Sequence, residues 1–162
     1  MTSEVRHEEV AQLLKQCQFF EDFGEQELGV VTRFLDVRTG QKGDVLFYEG
    51  EQADALYIIG DGRVELLIND DNDQVRLIGW LGPSESFGEF ALLTRGKRLV
   101  TVRATNNVVL YELSVPSFLR MRAHHPDVCL LLIMATVKRF GRMMETNHTL
   151  FKQVLLSQLS RI

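Results

Sequence analysis

Apolar and polar positions repeat with two different periods along this chain, and the change between them divides it into three parts. From residue 5 to 18, Val10, Leu13, Leu14 and Cys17 fall on one helical stripe. Phe19, Phe20 and Phe23 crowd behind it, and Gly24-Glu25 opens a second helix with Leu28, Val31, Phe34 and Leu35 facing inward. Large apolar residues at such spacing usually bury, so the phenylalanines predict core rather than a partner or lipid contact.

From Val37 the period drops to two. Strands are expected at Val45 to Tyr48, Ala55 to Ile59, Arg63 to Ile68, Val75 to Leu81, and at Val100, Val102 and Ala104, which alternate with Thr101 and Arg103. Val108 to Leu113 supplies a last strand. Gly60-Asp61-Gly62 reads as a tight hairpin turn and Asn69 to Asp73 as a second hairpin, while Gly82-Pro83 breaks the sheet. Short strands with regular turns, about eight in all, predict an antiparallel β-roll or jelly roll. The helical period then returns. Ser114 is suited to cap a short helix through Arg122, with Pro116 near its first position. Pro126-Asp127 starts a longer helix in which Lys138, Arg139 and Arg142 interrupt an apolar set of Val128, Leu131, Leu132, Ala135, Phe140 and Met143. Leu150, Phe151, Val154, Leu155, Leu159 and Ile162 continue as a helical stripe in the tail, suited to packing on its own domain or on a copy of itself. The expected organisation is one domain over residues 1–162: N-terminal helices over 1–36, β-roll over 37–113, C-terminal helices over 114–162.

Composition narrows the function. At 162 residues and 45% hydrophobic, the chain can bury a core as a single domain. A net charge of −4, with no dense basic run, argues against a nucleic-acid partner. No apolar run approaches the ~20 residues of a membrane span, so no membrane partner is expected. The polar start MTSEVRHEEV does not read as a signal peptide, and a cytoplasmic location is expected. Cys17 and Cys129 lie in apolar helical contexts and predict buried free thiols. All four histidines, His7, His124, His125 and His148, fall outside the strand region, where a metalloenzyme roll would need them. The acidic run Asn69 to Asp73 lacks the glycine and distal glutamate of a calcium loop and reads as a solvated turn. There is no glycine-flanked serine nucleophile, CxxC pair or Walker-type loop, so neither catalysis nor a metal or other cofactor is expected.

The chemistry concentrates in Phe87 to Ala104, FGEFALLTRGKRLVTVRA. Gly88 has no Cβ and lets the backbone turn sharply and approach a ligand. Glu89 can accept hydrogen bonds from vicinal hydroxyls. Phe90, Ala91, Leu92 and Leu93 suit a short helical turn, expected within Phe87 to Leu93, whose N-terminal amides favour an anion. Nine residues past Glu89, Arg98 offers a planar donor fork for paired oxygens. A hydroxyl acceptor, helical amides and an arginine together suit a ligand with both sugar and phosphate.

This stretch resembles the phosphate-binding cassette of the cyclic-nucleotide-binding domain family, most of all its hyperpolarisation-activated channel version, and the resemblance covers most of the chain. Glycines 43, 50, 60, 62 and 82 fall where that family turns its β-roll. The resemblance implies a cyclic-nucleotide ligand, cAMP or cGMP, bound at Phe87, Gly88, Glu89, Phe90, Ala91, Arg98, Leu99 and Val100, under a lid formed by the last long helix. Arg139 then matches the position from which similar channel domains reach the purine, a surface charge being its alternative reading, and Met143 matches an apolar lid position. The catabolite activator of this family pairs through its last long helix, which implies a homodimer through the C-terminal helices here.

One departure matters. The two residues after the phosphate arginine are usually small and often carry hydroxyls; here they are Leu99 and Val100. Leu99 offers no hydroxyl to phosphate or guanine, which disfavours cGMP relative to cAMP. Two functions follow: a cyclic-nucleotide sensor whose C-terminal helices move against an unidentified protein partner, or a scaffold or dimerisation module that needs no nucleotide. Gly88, Glu89 and Arg98 together favour the first, and Leu99 and Val100 the second.

Overall fold

The computed structural model describes residues 3–70 and 72–149, together with Lys152, Gln153 and Leu156. Helix α1 (Ser3–Gln16) leads through a 3-10 turn (Gln18–Phe20) into α2 (Glu25–Thr32). Eight strands follow: β1 (Asp36–Gly40), β2 (Val45–Phe47), β3 (Ala55–Asp61), β4 (Val64–Asn69), β5 (Val75–Leu81), β6 (Ser86–Phe87), β7 (Thr101–Ala104) and β8 (Val108–Ser114). The short helix α3 (Ala91–Thr94) interrupts them, and α4 (Val115–His124) and α5 (Pro126–Thr146) complete the fold. The strands form two antiparallel four-stranded sheets, ordered β1-β8-β3-β6 and β2-β7-β4-β5.

Two apolar cores follow from this layout. The roll interior is filled by Phe47, Tyr57, Ile59, Val64, Phe87, Val102 and Leu110, drawn from both sheets. The outer face of the β3–β8 sheet contributes Leu56, Ile58 and Leu113 to a second core with Leu14, Phe20, Leu28, Val31, Met121 and Leu132 of the helices. Alternation along β3 sends successive side chains from Ala55 to Ile59 to opposite cores, which is why that stretch is apolar throughout. Phe19, Phe20 and Phe23 are buried, their rings meeting edge to face 5.1 Å apart.

Local signals act as expected at several ends. Ser114 caps α4, its hydroxyl accepting from the Ser117 amide. Asp70 organises the β4–β5 turn by accepting from the Asn72 and Gln74 amides, each at 2.9 Å. The Gly60-Asp61-Gly62 hairpin is not formed. β3 pairs with β8 and β6, whereas β4 pairs with β5 and β7, so this segment carries the chain from one sheet to the other. Gly62 has φ +85°, and a Cβ there would collide with the Asn107 carbonyl. Its glycine serves a close crossing rather than a two-residue turn. Phe87 lies in β6, and the helical turn starts only at Ala91. α2 ends at Thr32, leaving Phe34 and Leu35 in the connection that follows, still packed on the helical core. The tail positions Leu150, Phe151, Val154, Leu155, Leu159 and Ile162 lie outside the described residues. Among the described residues, no helix is long and apolar enough to cross a membrane.

Candidate functional site

The site is assembled where the segment from Arg95 to Arg98 zips onto the β2–β3 connection. Arg98 N donates to the Glu51 carbonyl and Gly50 N to that of Arg98, both at 2.8 Å. Ala53 N donates to the Gly96 carbonyl at 2.8 Å, and the Gln52 side chain donates to the carbonyls of Arg95 and Gly96. These bonds fix the backbone of Arg98 and turn its side chain into the roll, where it is 5% exposed.

The guanidinium lies 4.0 Å from the centre of the Phe47 ring and 5.4 Å from that of Tyr57. Tyr57 stacks on Phe87 with ring centres 5.3 Å apart, so three aromatic side chains form a platform that attracts the buried cation. Nη2 donates to Asp54 Oδ1 at 2.8 Å and Nη1 to the Ala55 carbonyl at 3.0 Å. Nε is buried with no hydrogen-bond partner among the described residues. A buried donor left unmade costs about 1–3 kcal/mol, and an anion would satisfy it.

Gly88 is the backbone counterpart of this arginine. Its φ is +81°, and a Cβ there would stand 2.5 Å from Arg98 Nη1 and 2.8 Å from the Ala55 carbonyl. No other residue type lets the chain pass so close. Glu89 is buried, and Arg139 on α5 reaches it, with Nε 3.4 Å from Oε1, while donating to Ser86 Oγ at 2.9 Å. The amides of Ala91 and Leu92 donate to the carbonyls of Gly88 and Glu89. The amides of Gly88 to Phe90 precede this turn and lie outside these bonds. Phe90 packs edge to face on Phe140 of α5, with centres 6.0 Å apart. Val100 packs on the roll core, and Leu99 is 75% exposed.

Charge also joins α5 to the N-terminal segment. Lys138 pairs with Glu21 at 2.6 Å and Asp22 at 2.8 Å, and Arg142 pairs with Glu21 at 2.5 Å. Both cations draw the exposed Glu21 carboxyl below its ordinary range. A groove of about 280 Å³ runs between this segment, the β5–β6 turn and α5, and its lining includes Cys17, Ser86, Arg139 and Met143. Burial raises the Cys17 thiol, so this side of the groove stays protonated at neutral pH. Glu89 and Arg98 do not line the groove.

The fold thus gathers Phe87, Gly88, Glu89, Phe90, Ala91, Arg98 and Arg139 around one end of the roll, while Met143 sits one helical turn further along the groove. Asp54, Phe47, Tyr57 and Ser86 have no distinguishing mark in the sequence. Asp54 reads there only as the polar boundary of a strand.

Residues 37–125, which are 89 of the 162, match the family described as cyclic nucleotide-binding domain. The chain belongs to this family. Domains of the cyclic nucleotide-binding family are regulatory rather than catalytic. Among curated relatives, the cyclic AMP receptor protein of Thermus thermophilus is 29% identical over 71% of this chain and 53% of its own length. Lysophospholipase NTE1 of Pyricularia oryzae is 28% identical over 66% of this chain but only 7% of its own length. The chain therefore spans about half of the first relative and a small part of the second. Among solved structures, the N-terminal domain of a Streptomyces coelicolor transcriptional regulator superposes with TM-score 0.74 at 26% identity, covering 82% of this chain and 95% of that one. The regulatory domain of Toxoplasma gondii PKA, solved with cAMP, gives TM-score 0.67 at 27% identity over 74% of this chain and 46% of that one.

Proposed function

We propose that the chain is a cyclic-nucleotide sensor that holds the ligand's phosphate at Arg98 and the Gly88–Phe90 amides, its ribose at Glu89, and its base beneath α5. The observation that carries this reading is Arg98 itself. A guanidinium almost wholly removed from water, set against the Phe47 and Tyr57 rings with its Nε unpartnered among the described residues, is a costly arrangement unless an anion completes it. cAMP is the preferred ligand, because Leu99 gives a guanine edge no hydroxyl. Arg139 and Met143 belong to the lid, and Arg139 already touches the carboxylate that would receive the ribose. Ligand entry displaces that contact, which couples occupancy of the site to the position of α5 and hence to a partner.

The outer face of α5 supports a second copy of the chain as one such partner. Leu130, Ile133, Met134 and Val137 are exposed at spacings of three and four residues. The reading is tested by melting the protein with and without saturating cAMP or cGMP. A rise in melting temperature with cAMP, and a smaller one with cGMP, is expected; no shift with either defeats the sensor. A nucleotide-independent scaffold is the second reading, and one observation favours it: the protein itself supplies Arg98 with a carboxylate partner, Asp54.

A further inference from the structure

Beside Arg98, the β1–β8–β3 sheet carries charged residues on the face it turns toward the roll interior. Register places Glu112 of β8 opposite Asp36 of β1 on one side and Tyr57 of β3 on the other. Direct cross-strand partners share a face, so all three side chains belong to the face that carries the aromatic platform. Arg38 lies two residues along β1 on that same face, donating to the Tyr57 hydroxyl at 3.0 Å with its guanidinium 5.7 Å from the ring centre. Arg98 approaches the same ring to 5.4 Å and brings Asp54 with it. Asp36, Asp54 and Glu112 therefore stand against Arg38 and Arg98, one negative charge in excess. Asp36 and Asp54 are exposed and solvated, whereas Glu112 is partly buried.

We propose that Glu112, beside the anion site, takes up a proton when an anionic ligand pairs with Arg98. This rests on the nucleotide-binding reading. A phosphate at Arg98 adds one negative charge to the cluster and consumes part of the positive potential that Arg98 now offers Glu112. If Glu112 binds one proton from solvent, the charge of the cluster is unchanged by the ligand. The carboxyl is predisposed to this: burial already raises it above the ordinary glutamate range, with Arg38 and Arg98 opposing and Asp54 and Asp36 reinforcing the shift. Burial also raises the Tyr57 phenol, which stays neutral throughout.

The sign follows from linkage. A bound-state value above the free-state value makes affinity greatest at low pH; it falls as pH rises through the bound-state value and then levels off. The total change is about tenfold for each unit by which the phosphate raises Glu112. Titration calorimetry with cAMP near pH 6, in two buffers of different ionisation heat, counts the protons directly. Net uptake of a fraction of a proton per cAMP is expected in the wild type. Glu112→Gln should abolish the uptake and flatten the pH profile of affinity while still binding. Binding without uptake in the wild type overturns the proposal and leaves nucleotide binding intact. So does uptake that survives Glu112→Gln but vanishes in Asp54→Asn. Absence of cAMP binding at any pH overturns both the proposal and the reading beneath it.

Discussion

Replacing Arg98 by alanine separates what the residue does for the fold from what it does for the ligand. For the fold, the losses are a hydrogen bond to the Ala55 carbonyl, a close contact with the Phe47 ring, and the pair with Asp54. A hydrogen bond from a charged group contributes about 1.5–3 kcal/mol and a desolvated cation–π contact about 2 kcal/mol. The Asp54 pair contributes little on its own account, because the Asp54 side chain is 71% exposed and water replaces its partner. Against these losses, alanine removes a buried cation with an unpartnered Nε, a relief of several kcal/mol. The opposing amounts nearly cancel, so Arg98→Ala should stay folded and melt within about 1–2 kcal/mol of the wild type. For the ligand nothing cancels. Truncating one partner of a desolvated, hydrogen-bonded charge pair costs roughly 2–5 kcal/mol, or about 30-fold to several thousand-fold in affinity for cAMP. Fluorescence competition measures this directly. A folded Arg98→Ala protein that binds cAMP within about threefold of the wild type refutes the placement of the phosphate.

Other outcomes follow from the same geometry. Gly88→Ala forces a Cβ into the left-handed region and against Arg98 and the Ala55 carbonyl, and should lower stability by about 1–3 kcal/mol in denaturant titrations. Glu21→Gln removes the carboxylate shared by Lys138 and Arg142, and should lower the melting temperature by no more than about 3 °C, an effect that high salt erases. Because Glu21 titrates below its ordinary range when folded, its contribution is present above the ordinary value and is lost only as pH falls through the lowered one. Val137→Glu, on the exposed stripe of α5, should shift a dimer to monomer in light scattering without loss of cAMP affinity.

Gly88, Glu89 and Arg98 were legible in the sequence because each residue type answers a local demand: a positive φ, a buried acceptor, a planar donor. The aromatic platform was not, since Phe47, Tyr57 and Phe87 alternate like any strand residues and meet only when two sheets close over them. Asp54 is 44 residues from Arg98, and its role appears only when the cassette is pinned to the β2–β3 connection. Gly60 and Gly62 carried a true signal with the wrong meaning: a hairpin and a crossing between sheets both require a backbone free of Cβ clashes. Arg139 was named in the sequence only through the resemblance, with a surface charge as its alternative, because its contact with Glu89 depends on how α5 packs and not on its sequence period.

Whether an anionic oxygen completes the Nε–H of Arg98 is read from NMR of the arginine side-chain Nε–H during a cAMP titration. The Arg98 signal should shift strongly downfield, as a donor gaining a charged acceptor, and saturate at one cAMP per chain. A resonance that stays in place while cAMP binds contradicts an anionic oxygen at that Nε–H.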